Sequence, residues 1–225
     1  QHLERGSRVS YGARAVEKGG LFALPKMSLP GALLIGCDAG TMNFAKIKGS
    51  HTAMKSGMLA AETLFEAITN GDQGKQDLLA YGEKFKQSWL HEELYKARNF
   101  GAAMHKFGMW LGGAFNWFDQ NIFGGKLPVT LKDNTPDYAQ LKPAAQMPKI
   151  EYPKPDGITS FDKLSSVFIS GTNHEENQPC HLTLKDASLP LGINLSMWDE
   201  PAQRYCPAGV YEVLENESGD KTFQI

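Results

Sequence analysis

The alternation of apolar and polar positions changes period several times along the chain. Before residue 50 the apolar positions come in short groups, broken by glycine and proline. Arg8–Tyr11 predicts a strand, Glu17–Gly20 a polar turn with two glycines, and Pro25 and Pro30 bracket a short extended piece. Ala32-Leu33-Leu34-Ile35, closed by Gly36, is a continuous apolar run of the kind found in buried parallel strands. Cys37–Gly40 then reads as a turn and Thr41–Lys48 as a loop.

From Gly49 the period lengthens to that of a helix. Met54, Met58, Ala61, Leu64, Phe65 and Ile68 fall near one face, and Asn70-Gly71-Asp72 ends the pattern. A second helix is predicted from about Gln76 to Asn99, with Leu78, Leu79, Phe85, Trp89, Leu90 and Leu94 as its apolar residues. Residues 107–118 carry no charge and are rich in aromatics and glycine. That stretch fits either a core helix or a membrane-surface segment, where Trp rings sit at headgroup level. It is too short to span a bilayer. Gly108, Gly112 and Gly113 lower its helix propensity. The chain from Lys126 to Asp156 is rich in proline and polar residues and predicts an extended linker. In 157–225, Phe161–Ile169, His181–Leu184 and Gly209–Leu214 are candidates for strands or short helices.

Composition narrows the picture only a little. The 225 residues are 41 % apolar with a formal net charge of −2, so no strong attraction to nucleic acid is implied. No apolar run reaches the length of a transmembrane helix. The polar start, Gln1–Arg8, has no signal-peptide core, and a first residue other than Met makes an internal start in a longer protein the expectation. Three cysteines, Cys37, Cys180 and Cys206, argue against a disulfide framework and for a reducing compartment. They are too few to hold a four-cysteine site alone.

The strongest chemical signal is the unit strand–Gly36-Cys37-Asp38-Ala39-Gly40 followed by the helix at Gly49. A dinucleotide site needs a carboxylate at a strand end for a sugar or ribityl hydroxyl, a place Asp38 suits. It also needs a helix N-terminus facing anionic groups, which Gly49–Thr52 supplies. The same pattern fits an ordinary strand–loop–helix, and the Gly-x-Gly-x-x-Gly fingerprint does not occur in this chain. Lys46, Lys48, His51 and Lys55 crowd the helix start, either as a solvated basic face or beside a phosphate or reduced flavin. Gly171–Glu176, with His174 between polar neighbours, reads as a hydrogen-bonded loop, because no second ligand pair accompanies it. Cys206, followed by Pro207, fits either a buried thiol or one ligand of a ferredoxin-type cluster.

Gly36–Glu62, read whole as GCDAGTMNFAKIKGSHTAMKSGMLAAE, closely resembles a hallmark of the electron-transfer flavoprotein–ubiquinone oxidoreductases. Tyr11-Gly12-Ala13-Arg14-Ala15, Leu33–Gly36, Glu151–Gly157, Ser170–Glu175 and Arg204–Glu212 resemble the same family in the same order. The resemblance covers nearly the whole chain and points to the family's C-terminal part. It implies an α+β fold made of the C-terminal end of a glutathione-reductase-like FAD-binding domain (1–70), a helical quinone- and membrane-contact region (71–130), a linker (131–156), and part of a ferredoxin-like 4Fe-4S domain (157–225). It implies FAD contacts at Asp38, Gly40, Asn43, Gly49, Ser50, His51 and Thr52. Membrane or quinone contacts are implied at Phe107, Trp110, Leu111, Phe115, Trp117 and Phe118, and one cluster ligand at Cys206. The other three ligands are expected in a Cys-x-x-Cys-x-x-Cys run beyond Ile225, so the cluster site and the FAD site are both expected to be incomplete here.

The implied activity is electron transfer from reduced electron-transfer flavoprotein to ubiquinone through FAD and a 4Fe-4S cluster, with no acid–base catalytic residue. The implied protein is a monomer, peripheral on a bacterial cytoplasmic membrane or on the matrix side of the mitochondrial inner membrane. Two other readings remain: an FAD-dependent reductase of the geranylgeranyl-reductase type, and a non-enzymatic fragment. The reductase needs neither Cys206 nor the Thr172–Glu175 loop.

Overall fold

A computed structural model describes residues 6–13, 16–72, 74–179 and 182–225. Cys180, and His181 at the start of one predicted strand, lie outside the described residues, as do Arg14 and Ala15. The fold mixes helices with two small sheets, in two compact units: residues 16–134, and residues 6–13 with 135–225.

In the first unit, strand β1 (Ser28–Leu29) pairs antiparallel with β2 (Ala32–Leu33), with Ser28 opposite Leu33. This corrects the expected buried parallel strand. Pro30-Gly31 occupies the turn, and Gly31 at φ 78° supplies the positive dihedral that a proline–glycine turn needs. So tight a turn can only return the chain antiparallel. Leu34 and Ile35 stay exposed. In the second unit, Arg8–Tyr11 forms no strand either; Arg8 and Tyr11 instead bond to Ser166 and to the Pro207 carbonyl.

The predicted helix start at Gly49 holds: α1 runs Ser50–Thr69 with Gly49 as its N-cap, and the chain leaves it through Asn70 and Gly71. Its buried face is different from the expected one. Thr52, Ser56, Leu59, Ala60 and Thr63 are buried, whereas Met54, Met58, Phe65 and Ile68 are more than half exposed. Small residues are needed on the inner side because the loop at Gly36 comes close; a Cβ on Gly36 would meet the Ala53 Cβ at 3.5 Å. The hydroxyls are satisfied locally, with Ser56 Oγ accepting the Gly36 N–H at 2.8 Å.

The expected single helix from Gln76 to Asn99 is two, α2 (Leu79–Gln87) and α3 (Trp89–Lys96). Ser88 is extended, at φ −86° and ψ 158°. Its N–H and its hydroxyl both donate to the Phe85 carbonyl, which ends α2. The bend lets Tyr81, Phe85, Leu90 and Leu94 meet Leu59 and Ala60 in one core, with Leu21, Leu24, Met27 and Leu33 packed against it.

Residues Phe100–Ile122 form α4, broken at Gly108 (φ 72°, ψ −174°). The break is a reversal. Asn116 Nδ2 donates to the Phe100 carbonyl at 3.0 Å and Gln120 Nε2 to the Lys96 carbonyl at 2.8 Å. Sixteen helical residues would span roughly 24 Å if straight, so the two arms lie antiparallel as a hairpin. Gly112 makes their contact possible: a Cβ there would fall 2.6 Å from the Ala103 carbonyl oxygen.

The second unit is largely irregular over 135–156, with single turns at Asp137–Gln140 and Ala144–Gln146. Helix α5 (Lys163–Phe168) is capped by Asp162, whose carboxylate accepts the Ser165 N–H at 2.8 Å. A π-type turn (Pro190–Leu195) leads into α6 (Ser196–Trp198), then α7 (Ala202–Tyr205). Strands β3 (Glu212–Glu215) and β4 (Lys221–Gln224) make an antiparallel hairpin in the register Glu212 to Gln224.

Candidate functional site

The loop Gly36–Lys48 and the first turn of α1 form one assembly. Gly36–Ala39 makes a single 3₁₀ turn, closed by Gly40 at φ 82°. The Gly40 carbonyl accepts the Gly20 N–H at 3.1 Å, and Gly19 passes so near that a Cβ on it would overlap that carbonyl. Asp38 is exposed on the outside of this turn. Asn43 and Lys48 exchange two backbone hydrogen bonds, and Asn43 Oδ1 accepts the Lys46 N–H. The loop therefore delivers the chain to Gly49 in a fixed direction.

At Gly49 space is short: a Cβ would sit 3.0 Å from Cys37 Sγ and 3.3 Å from Met42. Thr52 is fully buried, and its hydroxyl donates to the Gly49 carbonyl at 2.8 Å. No side chain caps the helix and no acid lies in its first turn. The N–H groups of Ser50, His51 and Thr52 thus stand at the positive end of a 20-residue helix without intrahelical partners. That is a place for an anionic group.

Glu93 of α3 organises this end of the unit. Its Oε1 accepts from His51 Nε2 at 2.7 Å and from Asn43 Nδ2 at 2.8 Å, and Lys46 Nζ lies 3.2 Å from its Oε2. Burial pushes the Glu93 carboxyl up, but the hydrogen bonds from His51, Asn43 and Lys46 outweigh it and hold it below the usual range. The His51 ring lies parallel to Trp89 at 6.0 Å between centroids. Asn43, Lys46 and His51 are brought together, while Lys48 is exposed and Lys55 half-buried. Sequence reasoning did not find Glu93. It lies beside a second glutamate, Glu92, in α3, and nothing in linear spacing pairs position 93 with 43 and 51.

The α4 hairpin presents an apolar tip. Trp110 is 85 % exposed, and Phe107, Met109 and Leu111 flank it on the surface. Trp117 and Phe118 are exposed along the second arm, and the half-buried Phe115 packs on Phe107 at 6.0 Å. The polar groups sit at the other end. Arg98 donates to the carbonyls of Tyr95, Gly125 and Leu127 and to Thr130 Oγ1, with its guanidinium 3.9 Å from the Tyr95 ring centre. Buried Asp119 accepts from Leu127 N–H and from Asn99. Arg98 and Asp119 were also unmarked in the sequence.

In the second unit Cys206 follows α7 and is partly exposed. The Val210 N–H points at its Sγ from 3.5 Å. Burial pushes the thiol up; the N–H groups of Val210, Ala208 and Gly209 and the charge of Lys163 more than offset that and leave it below the usual thiol range. A sulfur facing backbone N–H groups gives up its proton more readily, as a metal-ligating cysteine must. Among the described residues no group of three or more His, Cys, Asp or Glu side chains gathers to hold a metal ion, His174 and its neighbours included.

Residues 157–225 match the family model described as electron transfer flavoprotein-ubiquinone oxidoreductase, 4Fe-4S. The whole chain is 67 % identical to the electron transfer flavoprotein-ubiquinone oxidoreductase of Pseudomonas aeruginosa, covering 41 % of that protein. It is 60 % identical to the probable enzyme of that name from Acinetobacter baylyi, of which the alignment covers 42 %. Over 97 % of its length it is 53 % identical to the mitochondrial protein of Bos taurus, covering 36 % of it. Along its whole length the chain is similar to electron transfer flavoprotein-ubiquinone oxidoreductases, and it spans about two fifths of the length of the bacterial relatives it matches. No helix among the described residues is long and apolar enough to cross a membrane.

Proposed function

We propose that this chain serves an enzyme that takes electrons from reduced electron-transfer flavoprotein and delivers them to ubiquinone, by way of FAD and a 4Fe-4S cluster. The observation that carries the reading is the Cys206 sulfur in its N–H cradle, inside the segment that matches the cluster-domain family. Cys206 would be one cluster ligand, and the cluster would move single electrons. FAD would supply the flavin chemistry, with this chain holding one side of it. Ser50, His51 and Thr52 would aim their N–H groups at negative charge on the flavin, while Glu93 fixes His51 and Asn43 behind them. Gly40 and Asp38 would border the ribityl chain.

Ubiquinone dissolves in the bilayer, so the enzyme must meet it there. Phe107, Trp110, Leu111, Phe115, Trp117 and Phe118 of the hairpin would enter one leaflet and bring the quinone site to the lipid, a peripheral attachment. This fits the cytoplasmic membrane of a bacterium or the matrix face of a mitochondrial inner membrane. The division at 1–70, 71–130, 131–156 and 157–225 would then separate flavin, membrane, linker and cluster functions.

The test is visible absorption and electron paramagnetic resonance of the protein with its natural ends, before and after dithionite. The expected result is flavin bands with a reduced-cluster signal, the latter lost in Cys206→Ala. Flavin without an iron–sulfur signal would point to the reductase class instead.

A further inference from the structure

Helix α1 turns its small and hydroxyl-bearing side inward and its apolar side outward. Met54, Met58, Ala61, Phe65 and Ile68 recur in steps of four, three, four and three, the spacing of a heptad seam. All five are exposed, the four large ones by more than half. At 1.5 Å per residue the stripe runs for roughly 21 Å. A helix on the surface of a finished domain shows the opposite arrangement, with its apolar stripe toward the core.

The stripe does not end at the helix. A Cβ on Gly57 would meet Ile35 Cδ1 at 4.0 Å, so Ile35 borders it, and Ile35 and its neighbour Leu34 are exposed as well. Glu66 turns away from the seam to Lys84 of α2, with Nζ 2.7 Å from Oε1. A continuous apolar surface of this kind marks an interaction site. Its period fits a second helix lying lengthwise at a shallow crossing angle, side chains interlocking. Ala61 in mid-stripe and Gly57 beside it let the two backbones come close.

The relatives say where that helix comes from. The Pseudomonas aeruginosa protein is matched over the whole of this chain, α1 included, yet about three fifths of it lie outside the match. We propose that the outer face of α1 is an interface, seated on an apolar helix from the part of the protein that lies outside these residues. This rests on the reading given above, in which the chain serves a longer enzyme.

The test is hydroxyl-radical footprinting of the wild-type protein with its natural ends, folded and unfolded in guanidinium, read by mass spectrometry at Met54, Met58 and Phe65. The folded protein is expected to be oxidised at these positions about tenfold more slowly or better, as a buried face is protected. Oxidation at the unfolded rate overturns the proposal. Protection that disappears on dilution to a monomer also overturns it, because the occupant is then a second copy of the chain. Flavin and cluster signals are recorded on the same sample. Protection without either signal keeps the interface and removes the electron-transfer reading, whereas both signals without protection remove the interface alone.

Discussion

His51 Nε2 and Glu93 Oε1 lie 2.7 Å apart, joining the first turn of α1 to the middle of α3. Asn43 and Lys46 converge on the same carboxylate, so one side chain ties the loop, the helix start and a second helix together. Glu93→Gln keeps the shape and removes the charge. At neutral pH the variant should lose about 1–3 kcal/mol, the range for a buried group left with poorer partners, as read by urea unfolding.

The pH dependence of that loss follows from the direction of the Glu93 shift. Its folded-state pKa lies below its ordinary value, because the three hydrogen bonds outweigh burial. The stabilisation is then fully present above about pH 4.3, the unfolded value, and is lost as pH falls through the folded one. Wild type and Glu93→Gln should differ most near neutrality and converge in acid. A gap that stays constant down to about pH 3 would show that the glutamate acts by shape alone.

The hairpin makes a sharper structural prediction. Gly112→Ala puts a methyl 2.6 Å from the Ala103 carbonyl oxygen, where neither backbone can yield cheaply. Gly113→Ala meets nothing within 4 Å. The first should destabilise by about 1–3 kcal/mol. The second should be neutral or stabilising by up to about 1 kcal/mol, since it only improves helix propensity. Thermal unfolding of the pair checks this, and equal effects would contradict the hairpin geometry.

Much of the chain's local order is legible in its sequence. Gly49 as a helix start, Asn70-Gly71 as its end, and Cys37–Gly40 as a turn all follow from near-neighbour rules, and the structure has them. What cannot be read locally is which face of a helix is inside. The stripe Met54, Met58, Phe65 and Ile68 predicts a buried face. The inner face carries Thr52, Ser56 and Thr63 instead, because the Gly36 turn packs too closely for large side chains. Ser88 reads as an ordinary helix residue, yet its hydroxyl ends α2. Glu93 and Arg98 find partners 30 to 50 residues away along the chain, a distance that spacing does not encode.

Arg98 is the clearest case of such a distant role. One guanidinium, 8 % exposed with its side chain, closes residues 125–130 onto α3 through carbonyls and a hydroxyl. Lysine has the charge but a single donor centre, so it cannot reach these acceptors together. Arg98→Lys should cost nearly as much as Arg98→Met, about 2–4 kcal/mol, because both leave buried carbonyls unpaired. Hydrogen exchange should show the 125–131 amides opening first. Full rescue by lysine would mean that charge, not fork geometry, holds this segment.

The membrane reading places its weight on Trp110. At 85 % exposure the indole contributes little to folding, so Trp110→Ala should leave stability within about 0.5 kcal/mol. In a bilayer the same ring would be buried, and its removal should weaken vesicle binding about tenfold or more. Flotation with phosphatidylcholine vesicles measures this, and a blue-shifted Trp fluorescence should accompany binding. Phe65→Ser is the control, because Phe65 is 72 % exposed on α1, away from the hairpin sequence. If both variants weaken binding equally, exposed apolar surface in general is sticking to lipid. If only Trp110→Ala does, the hairpin tip is the part of this chain that enters the membrane.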